Sequence, residues 1–272
     1  MAKEVIAVDL GGTYLRVALV KGARIARLIK KRTPKTKERV LRELFYSIES
    51  FMNKNVKGIG IGTAGPVLNG VFLNPPNLPF RNYDIKDALE KKFKVRVEVE
   101  NDANCVALAE LKLGVRRKNF FILTLGTGIG GGIVIDGNLY SRGGLGGEVG
   151  SIILDKGKSF ESLASLKGIK KLARKEFGRE INVKELVEMK NAKARKILNI
   201  VFKYYAQGIG SLINIFDPEI VVLAGGLSHS GDFFLNKIRK SVAKYVSSPK
   251  EYKIVLSKLR EPGILGASLL LN

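Results

Sequence analysis

The sequence predicts an α/β protein built from two similar domains that face each other, and three observations lead there. A segment of strand, Gly/Thr loop and strand occurs twice. Apolar runs of strand length alternate with stretches of helical periodicity along the chain. The 272 residues, 45% of them hydrophobic, supply enough apolar side chains for real cores.

The first copy runs from Val5 to Val20 around Asp9-Leu10-Gly11-Gly12-Thr13. Adjacent glycines let the backbone come close to a phosphate and aim N–H groups at it. Thr13 adds a hydroxyl donor, and Asp9 can hold a hydrated Mg²⁺. The same glycines also suit an ordinary tight hairpin, and this copy alone does not choose between the two. The second copy, Phe120 to Gly137, carries Leu125-Gly126-Thr127-Gly128-Ile129-Gly130-Gly131-Gly132 and lies over the first without a gap. Leu10-Gly11 falls on Leu125-Gly126, Val17 to Val20 on Gly132 to Ile135, and Gly22 on Gly137. Two facing loops serving one phosphate chain explain both copies.

In chain order, Ala23 to Ile29 extends the first hairpin by a third strand, and Thr36 to Lys54 carries Val40, Leu41, Leu44, Ile48, Phe51 and Met52 at helical spacing. Gly58-Ile59-Gly60-Ile61-Gly62 is a buried strand opening into Thr63-Ala64-Gly65-Pro66, and loops beyond the carboxyl ends of such strands gather ligands. Asn74-Pro75-Pro76-Asn77-Leu78-Pro79-Phe80 is stiffened by proline and presents Asn77 either as a fixed polar contact or as part of a plain surface loop. Tyr83 to Phe93 reads as a short helix and Val95 to Val99 as a strand. Glu100-Asn101-Asp102-Ala103-Asn104 then opens an Ala-rich helix. One Asn or Asp suffices to cap a helix, whereas three polar residues stand at this apolar junction, so Asp102 is a candidate proton acceptor for a substrate hydroxyl.

Beyond the second loop, Asp136-Gly137-Asn138 is a hairpin turn. Arg142 to Ser151 is glycine-rich and delivers Glu148 to a site. Ser159 to Ser165 opens a helical region reaching about Ile215, within which Val183 to Met189 and Ala192 to Ile215 are amphipathic. Glu219 to Ala224 is a buried strand running into Gly225-Gly226, where a flat ring can lie on bare backbone. His229 reads as a surface residue. Phe233 to Val246 reads as a helix, Tyr252 to Leu256 as a strand, and Pro262 to Leu271 as a closing helix with Pro in its first turn.

The composition narrows the function classes. No apolar run reaches the length of a membrane span, and Met1 to Glu4 leads into a strand rather than a signal peptide, so no membrane role and a cytoplasmic protein are expected. The single Cys105 excludes an internal disulfide and reads as a small buried side chain. The 47 Lys and Arg against 25 Asp and Glu give a formal charge of +22. That field attracts anions of any kind. The basic residues are nevertheless scattered, without interleaved aromatics, so they read as solvated helical faces rather than as a specific nucleic-acid surface. Lys-rich surfaces with few Cys, Met and His also occur in proteins from hot environments.

Taken together, Asp9-Leu10-Gly11-Gly12-Thr13, Gly65-Pro66, Pro76-Asn77-Leu78-Pro79, Glu100-Asn101-Asp102-Ala103-Asn104, Leu125 to Gly132, Gly147-Glu148-Val149-Gly150, Glu161-Ser162-Leu163-Ala164-Ser165, Ala224-Gly225-Gly226 and Gly263-Ile264-Leu265-Gly266-Ala267 resemble the ROK family of sugar kinases and repressors. The resemblance spans nearly the whole chain. It implies the two-lobed actin-like ATPase fold, related to ribonuclease H, with a mixed sheet and flanking helices in each lobe and a ligand cleft between them. Residues 1–106 plus 259–272 would form the small domain and 107–258 the large one. By the same resemblance, Asp102 is the general base of an ATP-dependent hexose kinase, acting on the C6 hydroxyl of glucose or a related hexose or hexosamine. Gly65, Asn77, Asn101, Glu148 and Glu161 would bind the sugar. Gly11, Gly12, Thr13, Gly126, Thr127 and Gly128 would bind phosphates, Asp9 would place Mg²⁺ through water, and Gly225-Gly226 would border the adenine. A homodimer is implied as well.

Three positions depart from the family pattern. Ser151 stands where many members carry a zinc-binding His, Asp155-Lys156-Gly157-Lys158-Ser159 replaces their cysteine cluster, and Phe80-Arg81 follows the proline run where a bulky aromatic is common. No zinc site is therefore expected. The alternatives are a sugar-responsive regulator of the same family or a catalytically idle sugar sensor. Against the regulator stand the mere eight residues before Asp9, where family repressors carry a helix-turn-helix domain. An actin-like ATPase without a sugar is the further enzyme alternative, opposed by Glu148 and Glu161.

Overall fold

The computed structural model describes residues 3–75, 77–141, 144–227, 231–247 and 252–271. Met1, Pro76, Arg142 and His229, all named in the sequence reading, lie outside the described residues. The chain divides into two compact units. One comprises Met1–Arg116, Leu139–Gly146 and Leu259–Asn272, the other Arg117–Asn138 and Gly147–Lys258.

The first unit opens with β1 (Glu4–Leu10), β2 (Tyr14–Lys21) and β3 (Arg24–Arg32), an antiparallel meander. β1 is an almost unbroken apolar run because both of its faces are covered. β3 is charged and largely exposed, as suits the sheet edge it forms. Helix α1 (Lys37–Glu49) follows, with Thr36 as its cap and Val40, Leu44 and Ile48 on its buried stripe. It ends earlier than its apolar periodicity suggests, since Ser50 to Met52 leave the helix as a tight turn while Phe51 stays buried.

Strand β4 (Val56–Thr63) pairs in parallel with β1. The short strands β5 (Val67–Leu68), β6 (Val71–Phe72) and β7 (Tyr83–Asp84) form a side sheet. Helix α2 (Ile85–Phe93) therefore starts later than the sequence reading has it. Tyr83 pairs with Phe72, and Asp84 accepts a hydrogen bond from Asp87 N as the cap. β8 (Arg96–Asn101) joins the far side of β4 and passes directly into α3 (Asp102–Lys112). The main sheet thus has the order β3-β2-β1-β4-β8.

The second unit repeats this plan. β9 (Phe120–Leu125) and β10 (Ile129–Ile135) form the second hairpin, continued by β11 (Asn138–Leu139). The spacing that relates Leu10 to Leu125 also relates the first residues of the return strands, Tyr14 and Ile129, and the left-handed glycines Gly22 and Gly137. A small hairpin of β12 (Ile153–Asp155) and β13 (Lys158–Ser159) follows, then α4 (Phe160–Ala164), α5 (Leu166–Phe177), α6 (Val183–Glu188) and the long α7 (Ala192–Phe216). Helix α7 ends at Asp217, which is left-handed, with Pro218 next. β14 (Ile220–Ala224), α8 (Gly231–Val242) and β15 (Ile254–Leu256) complete a sheet of order β11-β10-β9-β14-β15. Both α8 and β15 are shorter than their apolar patterns suggest, because Lys244, Tyr245 and Tyr252 lie outside them. Among the described residues no helix is long and apolar enough to cross a membrane.

The chain then returns to the first unit as α9 (Pro262–Leu269). This packing explains the alternation in β4. Ile59 and Ile61 point into the core shared with α1, while Gly58, Gly60 and Gly62 make a flat opposite face. A side chain at Gly60 would run into the Ala267 carbonyl of α9, one at Gly62 would press on Cys105 Sγ, and one at Gly266 would meet the Cys105 carbonyl of α3. Cys105 is fully buried, and its burial pushes the thiol well up from its ordinary range. Gly60→Ala is expected to destabilise the protein by about 1–3 kcal/mol through overpacking. Gly226→Ala, whose added carbon would meet nothing within 4 Å, should shift stability by less than about 0.5 kcal/mol. Denaturant melts of the two variants check this.

Candidate functional site

In the first unit the parallel registers bring three candidate segments to one sheet edge. Thr63 of β4 pairs with Leu10 of β1 on one side and with Asn101 of β8 on the other. The residues that follow these three positions, Gly11-Gly12, Ala64-Gly65 and Asp102, therefore leave the sheet side by side at its carboxyl edge, where α/β sheets bind ligands. Thr63 ties the edge together: its hydroxyl donates to Leu10 O at 3.4 Å, and Ala64 N donates to the same carbonyl at 3.1 Å.

The first glycine loop is held by a residue the sequence reading missed. Buried Thr33 donates its hydroxyl to Gly11 O at 2.6 Å and its N–H to Thr13 O at 3.0 Å. The strand register holds the clue, since Arg32 pairs with Tyr14 and the next residue must come opposite Thr13. Thr13 itself is exposed. Gly12 lies against Asn77, so that any side chain at Gly12 would collide with Asn77 Cβ. Three residues further on, buried Phe80 anchors the same run, packing on Phe72 with ring centroids 5.2 Å apart and on Tyr83 at 5.5 Å.

Asp9 faces Arg16 across the hairpin register, and Arg16 Nη1 donates to Asp9 Oδ2 at 2.7 Å. The same guanidinium lies 3.4 Å from Glu261, a left-handed residue at the start of α9. Neither Arg16 nor Glu261 is given a role in the sequence reading. The Asp9 pKa is raised, first by burial; Arg16 opposes the shift and Glu261 adds to it. The second carboxylate oxygen of Asp9 has no hydrogen-bond partner among the described residues. Mg²⁺ commonly binds through one or two carboxylates while keeping water and phosphate oxygens. Asp9 fits that outer role, and among the described residues no group of three or more His, Cys, Asp or Glu is placed to cage a metal.

Asn101 caps α3, accepting from Ala103 N at 2.8 Å and Asn104 N at 3.3 Å, while its amide donates to Gly65 O at 3.1 Å. It thereby links the β8 and β4 edges. Asp102 is half-buried at the first helical position, and its Oδ1 accepts from Ala103 N at 2.8 Å. That bond orients the carboxylate at a helix N-terminus, where negative charge is favoured. Asn104 points inward, is buried, and donates to Glu100 at 3.1 Å, so it belongs to the scaffold.

In the second unit, Gly126-Thr127-Gly128 leaves β9 beside Gly225-Gly226 at the end of β14, because Ala224 pairs with Thr124. Gly225 is left-handed, and a Cβ there would crowd the Leu125 backbone. Thr127 is exposed. Glu161 Oε2 accepts from Ile129 N at 2.9 Å and lies over Gly128, leaving no room for a side chain on that glycine. The carboxylate is thus tied to the second loop. Glu148 stands at the start of a tight turn, Val149–Ser151, whose Gly150 packs on Ile129 O. Its pKa is raised, chiefly by partial burial of the carboxyl and secondarily by the Glu161 charge. The two glutamates accordingly share one electrostatic neighbourhood. Downstream, Lys156-Gly157 forms a left-handed hairpin turn, and Asp155 accepts from Tyr204 OH at 2.8 Å.

The ROK family profile matches residues 5–272. A glucokinase of Thermotoga maritima is 32% identical over 99% of this chain and 97% of its own length. A xylose repressor of Caldicellulosiruptor bescii is 30% identical over 96% of this chain and 76% of its own. Among solved structures, a ROK glucokinase from Streptomyces griseus in complex with glucose and AMPPNP superposes with a TM-score of 0.85, with 26% identity over 98% of both chains. With the two-lobed actin-like ATPase architecture of these neighbours, the chain belongs to the ROK family.

Proposed function

We propose that this protein is an ATP-dependent hexose kinase that transfers the γ-phosphoryl group to the C6 hydroxyl of glucose or a related hexose or hexosamine. The observation that carries the reading is the shared edge of β1, β4 and β8, which sets Gly11-Gly12 and Asp102 at one level on either side of Ala64-Gly65. Phosphoryl transfer needs positioned donors for phosphate oxygens and a base for the attacking hydroxyl, with little covalent chemistry. The glucokinase name of a relative at 32% identity supports the same assignment.

In this reading Asp102 accepts the hydroxyl proton as the sugar oxygen attacks the γ-phosphorus and ADP leaves. Its bond from Ala103 N keeps the carboxylate from turning away. The loop N–H groups of Gly11 to Thr13 and Gly126 to Gly128 receive phosphate oxygens. Bound Mg²⁺ would neutralise phosphate charge, with Asp9 as the residue to hold it through water. Gly65, Asn77, Asn101, Glu148 and Glu161 orient sugar hydroxyls, and Gly225-Gly226 borders the adenine. A sugar-responsive regulator is the second reading, favoured by the xylose repressor among the relatives. It predicts sugar binding without turnover.

Three measurements test these assignments. Asp102→Asn should lower kcat by roughly 10²–10⁴ with sugar KM nearly unchanged; an unaltered rate removes Asp102 as the base. Thr33→Val should loosen the first loop at a cost of about 1–2 kcal/mol, raising the ATP KM severalfold and leaving the sugar KM alone. The third concerns pH. The raised pKa of Glu148 means that its ionised, hydroxyl-accepting form is complete only above that value, so sugar affinity should fall as pH drops through it, earlier than for a carboxyl at 4.5. Glu161→Gln removes a like charge and should move this acid limb part of the way down, since burial is the larger cause. A limb that does not move separates the two carboxyls.

A further inference from the structure

The outer face formed by α7 and α8 holds a pocket of about 340 Å³ that shares no residue with the glycine loops. Lys203 and Phe202 come from α7. Lys237 and Lys240 come from α8, and Lys244 and Tyr245 from the turn that continues it. Steps of three and four residues put Lys237, Lys240 and Lys244 on one face. The turn keeps that course, with Lys244 N donating to Ser241 O and Tyr245 N to Val242 O. The pocket is preformed. Phe202 is buried against Phe234, with ring centroids 5.4 Å apart, and the Tyr245 carbonyl accepts from Asn214 Nδ2 at 2.9 Å.

Four of the eight lining residues are lysines, whereas Lys and Arg are 47 of 272 residues, about one in six, in the chain as a whole. Among the described residues no carboxylate lines the pocket. None of the four amines has an ion pair among the described residues, although Lys170, Lys184 and Lys196 of the same unit are paired with glutamates. Like charges gathered at one mouth repel each other and focus a field that draws in a counter-anion.

We propose that this pocket binds a short chain of phosphate groups, inorganic or carried by a nucleotide. Four ammonium groups balance about two phosphate monoesters, each carrying about −1.5 to −2 at neutral pH, so a single inorganic phosphate leaves roughly half the charge uncompensated. Lysines suit this ligand as mobile point charges.

The test is lysine acetylation of the whole chain, read residue by residue by mass spectrometry, with inorganic tripolyphosphate, a non-hydrolysable ATP analogue, inorganic phosphate or a short oligonucleotide. Tripolyphosphate should protect Lys203, Lys237, Lys240 and Lys244 saturably, at a concentration about tenfold below that needed with inorganic phosphate, and leave exposed Lys54 and Lys57 reactive. Lys240→Gln/Lys244→Gln should raise the concentration protecting Lys203 and Lys237 about tenfold; Lys54→Gln/Lys57→Gln, with the same charge loss, should stay within about twofold. Protection by the analogue as well assigns nucleotide-borne chains to the site, and protection by tripolyphosphate alone assigns inorganic ones. Protection by the analogue alone assigns the site to nucleotide-borne chains only, whereas even protection over all surface lysines, equal loss in both double variants, or protection only by the oligonucleotide overturns the proposal.

Discussion

The parallel pairing of β4 between β1 and β8 is the constraint on which the rest of the first unit depends. Because Thr63 is matched to both Leu10 and Asn101, three chain segments leave the sheet at one level. A slip of one residue would turn every side chain of β4 to the opposite face, placing isoleucines where α9 and α3 approach most closely. The glycine face of β4 and the position of Asp102 are consequently one problem of packing. Helix α3 can begin at the sheet edge only because Gly62 and Gly266 let Cys105 sit so close.

The second unit solves an analogous problem with a charge in it. Glu161 accepts a hydrogen bond from the residue that leaves the glycine loop, so a carboxylate assigned to the sugar and a loop assigned to phosphate are mechanically joined. The neighbouring Glu148 feels both partial desolvation and that charge. In the first unit Asp9 is handled differently. Burial disfavours its ionised form, and the Arg16 guanidinium offsets that cost through a 2.7 Å contact. Acidic groups at these edges are therefore individually tuned, although the chain as a whole carries a large excess of positive charge.

Much of this was legible in the residues. The repeated hairpin shows itself as sequence identity at constant spacing, because the same backbone turn imposes the same glycines, down to the left-handed Gly22 and Gly137. Cys105 was readable as buried because a lone thiol in an Ala-rich helix has an apolar setting. Strand and helix limits were less legible. Tyr83 and Asp84 resemble a helix start until the side sheet claims Tyr83. Thr33, Arg16 and Glu261 escaped for a different reason: each acts on a residue distant in sequence, and only the strand register or the return of α9 brings the partners together. Asn101 carried two readings, and the structure gives its oxygen to the helix cap and one of its amide hydrogens to Gly65.

The most direct test of the kinase assignment is a matrix of purified protein with several hexoses and hexosamines against ATP and other phosphoryl donors, with sugar phosphate measured as product. Sugar-dependent formation of a 6-phosphate from ATP and at least one hexose is the predicted result. Saturable sugar binding with no sugar phosphate from any donor would contradict it.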